Sequence, residues 1–426
     1  MQHEATILPG STAAIPLTTP TVPELLAAKG FTSSAVGKWH CGYASFNNTP
    51  TGRGFTNFVG YLQGQVDYYN KTIGFGVTKG FDFWNGKTEF RDAVGDYSLP
   101  QYMAAVDQYI HAFNATDEGA RMYLYLSSQT VHIPLEAAGE DARCSGIRDY
   151  WRRVYCSMLV ELDDAVGDLV AMLEAKVGDE WVILSMGDNG GMVRFATTGN
   201  STHDAPFWPA SAGDNRPLRG SKSTLFQGGV QSTSFVSGGS SMIPVSVRGT
   251  QYDGLMHACD LAATVLGLGG VDVKLLQSSA AVAPMDGIDH WEAIMSGKGE
   301  SLRSHVPINI VHNGTSYTAV RYGDFKLIVG APTMGEAGGW YTKGLYPAVE
   351  DPPPHRNGTN YLFNLARDPY EHVELSLEQY ADVVKHGLEI IQGYVTGGLY
   401  QEPQPNKLHW KALPGLHGGA WAPWLD

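Results

Sequence analysis

The sequence predicts an α/β protein with a smaller α+β part at its C-terminal end, on three observations. A strand at Phe31 to Val36 and apolar runs at Met122 to Leu126 and Trp181 to Met186 each break off into a polar loop. That is the pattern of buried strands that deliver side chains at their C-terminal ends. An amphipathic helix, Arg152 to Lys176, feeds the third run. Around 298–306 the βα alternation gives way to a hairpin, Tyr317 to Ile328 with its turn at Gly323-Asp324, and then a late helix, Leu377 to Gln392. Residues 1–300 therefore read as the main α/β domain and 301–426 as the α+β subdomain.

In chain order, residues 1–20, rich in Thr, Pro, Ala and Ser, read as a loop. Thr21-Val22-Pro23-Glu24 is a capping box with an early proline, and Gly30 closes the short helix it starts. The Phe31 strand follows and releases Gly37-Lys38-Trp39-His40. From Asn47 to Gly95 the chain is dense in Gly, Asn, Tyr and Phe, and reads as a long loop region walling a pocket, with 192–215 as a second wall. Tyr102 to Phe113 is a helix, and the Met122 strand ends at Ser127 to Pro134. The Arg152 helix aligns Tyr155, Met158, Leu159, Leu162, Val166, Leu169, Val170 and Leu173 on one face, predicted to be core. Its Asp163-Asp164 pair reads as solvated or capping. Ser232 to Val236 is a strand, His257 to Leu268 a helix, and Asp351 to Pro354 a loop.

A net charge of −14 argues against a nucleic-acid partner, so any anionic substrate has to be held by a local group of cations. No apolar run reaches membrane-spanning length. Cys41, Cys144, Cys156 and Cys259 form no C-x-x-C pair, which disfavours zinc; Cys144 and Cys156 are nearest in sequence, and a disulfide and free buried thiols are both open. Six of fifteen asparagines, Asn47, Asn70, Asn114, Asn200, Asn313 and Asn357, start N-x-[ST] sequons, which points to a secreted or lysosomal-type glycoprotein. Met1-Gln2-His3-Glu4 opens no signal peptide, so the entry signal is expected upstream or not at all.

Four loops carry the residue types that handle an oxyanion. Asp188-Asn189-Gly190-Gly191 puts a carboxylate beside a carboxamide at a strand end, hard oxygen donors suited to Ca²⁺ or Mg²⁺; an Asx turn is the plain alternative. Lys38 and His40, two apart on an extended segment, point to one side. His132 sits just past a second strand end, in a turn stiffened by Pro134. Lys222 lies in a Gly/Ser-rich turn from which a long cation can reach over a pocket.

Gly37-Lys38-Trp39-His40, Val131-His132-Ile133-Pro134, Gly187-Asp188-Asn189-Gly190-Gly191 and Pro217-Leu218-Arg219-Gly220-Ser221-Lys222, in that order, resemble the type I sulfatases, within them the arylsulfatases of the N-acetylgalactosamine-4-sulfatase type. Arg53-Gly54-Phe55, Asp67-Tyr68-Tyr69, Leu362-Phe363-Asn364 and Asp368-Pro369-Tyr370-Glu371 extend the resemblance along the chain. It implies an alkaline-phosphatase-like α/β sandwich with a large central mixed sheet and a smaller C-terminal α+β subdomain. It also implies hydrolysis of a sulfate ester of a sugar or aryl alcohol, with a calcium ion (magnesium the alternative) and a formylglycine nucleophile made from cysteine by the formylglycine-generating enzyme. Carried over residue by residue, Asp188 and Asn189 bind the metal, and Asp188 helps deprotonate the nucleophile. Lys38 and Lys222 bind sulfate, and His40 orients the formylglycine or takes its proton. His132 touches sulfate and serves as general acid to the leaving alcohol.

The sequence departs from the family at the nucleophile. No cysteine stands in the Cys-x-Pro-x-Arg context, and Ser98-Leu99-Pro100-Gln101-Tyr102 lacks the arginine. Gln227 and Cys41 are milder departures. The expectation is an N-terminally truncated chain in which Met1 is internal, the nucleophile and two metal-binding aspartates lie upstream, and the loss of a central strand leaves sheet edges unpaired. The alternative is an inactive pseudo-sulfatase that binds sulfated glycans. A phosphatase is disfavoured by the paired lysines and the single Asp-Asn.

Overall fold

The chain opens with helix α1 (Val22–Ala27) and strand β1 (Phe31–Lys38). The stretch read as loop contains β2 (Asn57–Tyr61), β3 (Thr72–Ile73), β4 (Gly80–Phe81), β5 (Trp84–Asn85) and β6 (Thr88–Glu89). Helix α2 (Ser98–Ala112), β7 (Arg121–Ser127), α3 (Tyr150–Val177) and β8 (Val182–Met186) follow, then α4 (Gln227–Val230), β9 (Ser234–Gly238), α5 (Ala258–Leu268), α6 (Val273–Ser278) and α7 (Trp291–Ser296). The last sheet comprises β10 (His305–Asn309), β11 (Thr318–Tyr322), β12 (Phe325–Val329) and β13 (Tyr361–Asn364), and α8 (Ala381–Thr396) comes after it. This computed structural model describes residues 6–193, 212–278, 285–310, 318–330, 360–400, 404 and 406–425. Asn200, Asn313, Asn357, most of the 192–215 wall and the Asp351 to Pro354 loop lie outside the described residues.

The main sheet is mixed, in the order β6-β5-β2-β1-β7, with β1 parallel to both β2 and β7 and β5 antiparallel to β2. Strand β2 corrects the loop reading of 47–95. Phe58, Val59, Gly60 and Tyr61 are all buried, so no alternation marks the strand. Gly60 serves packing rather than a turn, because a Cβ there would stand 1.9 Å from the Gly37 carbonyl oxygen. On one face Val36, Val59 and Tyr61 pack with Tyr102, Val106 and Ile110 of α2 and Leu169 and Leu173 of α3. On the other, Phe31 and Tyr123 meet Leu26 of α1 and Ala263 and Leu266 of α5, while Ala35 and Phe58 meet Trp421 of the C-terminal tail. The tail is tied down where the Phe81 N–H donates to the Gly419 carbonyl and the Trp421 N–H to that of Phe81, both at 2.9 Å.

The core face predicted for α3 is only partly right. Met158, Leu169 and Leu173 are buried, but Leu159 is 50% exposed and Leu162 and Val166 are half-buried, whereas Val154, Ser157 and Ala165 are covered. Strand β8 pairs with β9 alone, antiparallel, as a separate two-stranded sheet. Helix α8 begins four residues later than expected, because Leu375 and Leu377 pack on Leu327 and Leu362 from an irregular approach. Its sheet, β10-β11-β12-β13, is antiparallel throughout. Cys144 and Cys156 are joined as a disulfide with Cα atoms 5.9 Å apart, and Cys41 and Cys259 are free thiols. Among the described residues no helix is long and apolar enough to cross a membrane.

Candidate active site

The end of β1 is built to turn two side chains one way. Gly37 has φ 98°, and a Cβ there would lie 2.0 Å from the Ser127 carbonyl oxygen of β7, so only glycine lets the strands meet. The N–H groups of Trp39 and His40 donate to Tyr61 and Leu62 carbonyls at 2.9 and 3.0 Å, and the buried Trp39 indole N–H reaches those of Gly42 and Asn48. Lys38 and His40 are thereby held above the sheet. His40 Nε2 lies 2.9 Å from the Ile7 carbonyl oxygen; a carbonyl only accepts, so Nε2 carries the proton and Nδ1 is an acceptor. The ring lies over Gly64, where a Cβ would come within 2.7 Å of Cε1.

Past β7, the buried Tyr68 hydroxyl reaches the carbonyl oxygens of Gln129 and His132 at 2.9 and 3.0 Å, and Tyr102 donates to Gln129 Oε1 at 3.1 Å. His132 Nδ1 donates to the Ile133 carbonyl at 2.9 Å, which leaves Nε2 to accept from Lys222 Nζ at 3.2 Å. At the end of β8, Asp188 is exposed and its Oδ2 stands 4.0 Å from Lys38 Nζ. Asn215 binds this loop to the lysine turn: its Oδ1 accepts from Gly191 N–H at 2.9 Å, and its Nδ2 donates to the Gly191 and Gly220 carbonyls at 2.8 and 3.1 Å. The Lys222 N–H in turn donates to the Gly191 carbonyl at 3.1 Å. The departure at Gln227 is also accounted for. Its Oε1 accepts from buried Lys326, and Glu371 supplies the negative charge there, 2.7 Å from the same ammonium.

The cations depress one another. Burial, then the Lys222 ammonium, bring the His132 imidazole down to about 4. Burial and Lys38 lower His40. Burial lowers Lys38 as well; Asp188 pulls it back up and Lys222 pushes it further down. At neutral pH His132 is therefore uncharged beside an ammonium donor, and an arriving dianion or monoanion finds lysine charge it can neutralise. Such a cluster stabilises charge on an oxyanion and, once the anion has raised the imidazole, can pass a proton to a leaving oxygen.

All six residues singled out from sequence, Lys38, His40, His132, Asp188, Asn189 and Lys222, stand at the ends of β1, β7 and β8 or in the turn packed on them. Tyr68, Gly64 and Asn215 went unrecognised as supports. Tyr68 lies inside the Asp67-Tyr68-Tyr69 stretch that resembles the family, whereas nothing local to Gly64 or Asn215 marks them. As metal donors, Asp188 and Asn189 have the right hard oxygens, and the Asn189 Nδ2 donates to the Gly190 carbonyl at 2.8 Å. They are a partial set: no group of three or more His, Cys, Asp or Glu gathers among the described residues, and calcium takes about six to eight oxygens. Neither free thiol is activated. Burial pushes Cys41 up to about 11 and Cys259 up to about 12.

The sequence profile of the Sulfatase family matches residues 2–271. The chain belongs to the sulfatase family. This sulfatase-family chain is 29% identical to mouse arylsulfatase J over all of its own length and 69% of the relative's, and 24% identical to pig N-acetylgalactosamine-6-sulfatase over 90% of its length and 70% of the relative's. In fold it is similar to Ps i-CgsB crystallised with a neocarrahexaose (TM-score 0.69, 20% identity, 91% of this chain and 77% of that one). It is also similar to the PsFucS1 sulfatase from Pseudoalteromonas sp. (TM-score 0.64, 22% identity, 92% and 75%). The sulfatase fold is thus alkaline-phosphatase-like α/β, and the family is one of sulfuric ester hydrolases.

Proposed function

We propose that this chain binds the sulfate group of a sulfated carbohydrate and serves an arylsulfatase of the N-acetylgalactosamine-4-sulfatase type. The convergence of Lys38 and Lys222 with two uncharged histidines carries the reading. Lys38 and Lys222 bind the sulfate oxygens. Sulfate beside His132 raises its imidazole from about 4, so Nε2 takes a proton from Lys222 or solvent and hands it to the leaving sugar oxygen. His40 is held with Nδ1 free to accept a proton. Asp188 and Asn189 contribute oxygens to a bound calcium ion, which supplies positive charge to the sulfate when present. The formylglycine implied by the resemblance has no counterpart at Cys41 or Cys259. Secretion or a lysosomal-type compartment is supported by Asn47, Asn70 and Asn114, all exposed.

A second reading is binding without turnover, because no cysteine of this sequence stands in the Cys-x-Pro-x-Arg context. Calorimetry with N-acetylgalactosamine 4-sulfate against the unsulfated sugar, followed by assay of released sulfate, separates the two. Sulfate-selective binding that is lost in Lys222→Met, together with release, supports the hydrolase. Binding with no release supports the second reading, and equal affinity for both sugars sinks both.

A further inference from the structure

The turn that carries His132 is tied to the 67–72 loop, and the tie ends in a buried charge that the sulfate reading does not use. Asp67 opens that loop as an Asx turn, its Oδ1 accepting from the Tyr69 and Asn70 N–H groups at 2.9 and 2.5 Å. The chain then passes through Lys71 at φ 56°, a region that L side chains seldom adopt. Asn70 faces solvent, and Lys71 is fully buried. Its ammonium has three donors and three acceptors: the Tyr68 carbonyl, the Asp96 carbonyl at 2.6 Å, and Oγ of Ser98, the first residue of α2, at 3.0 Å. None of the three is a carboxylate. Burial brings Lys71 down to about 8 while Asp67, Asp96 and Glu136 pull it upwards, so at neutral pH it is mainly charged. Burying an ammonium without an ion pair is costly, so what that ammonium holds matters.

What it holds is Tyr68. The Tyr68 carbonyl accepts from Lys71 and from the Ser98 hydroxyl, the latter at 2.9 Å, and the Tyr68 N–H donates to Glu136 Oε2 at 2.9 Å. With its backbone held on both sides and its ring stacked on Tyr97, centroids 5.3 Å apart, Tyr68 aims its hydroxyl at the carbonyls of Gln129 and His132. The His132 carbonyl belongs to the residue whose Nε2 meets Lys222 Nζ at 3.2 Å. We propose that Lys71 is a positioning residue for His132: acting through Ser98 and Tyr68, it sets the separation of the His132 imidazole from the Lys222 ammonium, and with it the fit of an anion beside them. Only that last clause rests on the sulfate reading. Lys71 itself lies behind the site and touches no ligand.

The test is a cycle on the full chain of Lys71→Met, Tyr68→Phe and the two together. It is read by NMR of the His132 ring nitrogens across pH without ligand, and by calorimetry with N-acetylgalactosamine 4-sulfate. Each single change is expected to let His132 titrate higher than in the native chain, as the turn loosens and water reaches the ring. Each is also expected to weaken sugar binding by about tenfold, the worth of one buried hydrogen bond. The double variant is expected to go no further than the larger single one, because both act along one connection. A lysine that only stabilises its own loop would lower the melting temperature and leave the His132 titration where it is. That result, or effects that add in the double variant, overturns the proposal. Should Lys71→Met fail to fold, Ser98→Ala takes its place in the cycle under the same criteria. His132 shifts in the variants with no sugar binding by the native chain remove the sulfate reading alone, and sugar binding with an unmoved His132 removes the Lys71 inference alone.

Discussion

Replacing Lys222 with methionine removes the ammonium 3.2 Å from His132 Nε2 and keeps most of the side-chain volume. In the native site the imidazole sits at about 4 against an ordinary 6.5, with burial the first cause and Lys222 the second. A depression of that size is worth on the order of 3 kcal/mol between the two protonation states. Because burial is the larger cause, the variant should titrate higher than the native imidazole but still below 6.5. The sign for stability follows. A histidine depressed in the folded state binds its proton more readily when unfolded, so folding loses stability as pH falls from 6.5 towards 4, and Lys222→Met should lose less over that window. Two-dimensional NMR of the ring nitrogens, assigned with His132→Gln, reads the titration directly. A native His132 titrating near 6.5, or an unchanged value in Lys222→Met, would refute the reasoning.

Gly64→Ala brings a Cβ to 2.7 Å from His40 Cε1 and should displace the ring, lowering affinity for the sulfated sugar by about tenfold with little change in melting temperature; unchanged calorimetric affinity would show that His40 does not need that ground. Opening the Cys144–Cys156 disulfide by a double Cys→Ser change removes a closure of sequence separation 12 and should cost about 3 kcal/mol in denaturant unfolding. Glu371→Ala strands the buried Lys326 ammonium and should destabilise by about 3–5 kcal/mol, whereas Lys326→Met with Glu371→Leu together should recover most of it. Equal losses in the single and double variants would contradict that account.

Much of the site was legible because chemistry gathers where apolar runs stop. Lys38 closes β1, and His132 and Asp188 follow β7 and β8, whose interiors are plainly hydrophobic. Strand β2 was hidden, since four consecutive buried residues including Gly60 carry neither alternation nor length. The α3 face misled in an informative way: Leu159, Leu162 and Val166 have core periodicity, yet they stand beside a cavity between β7 and β8. Supports such as Asn215 were illegible, because what they do depends on two backbone segments, around Gly191 and Gly220, that only the fold brings together.

Three residues before Lys222, the Arg219 guanidinium lies 4.1 Å from the centre of the Phe226 ring and within 6 Å of Tyr361 and Phe363, and it donates to the Glu371 carbonyl at 3.2 Å. The C-terminal sheet therefore acts as the anvil on which the lysine turn is set. Drift in that remote sheet will be felt as altered anion affinity, so substitutions at Tyr361 or Phe363 belong among functional changes even though neither ring approaches the ligand.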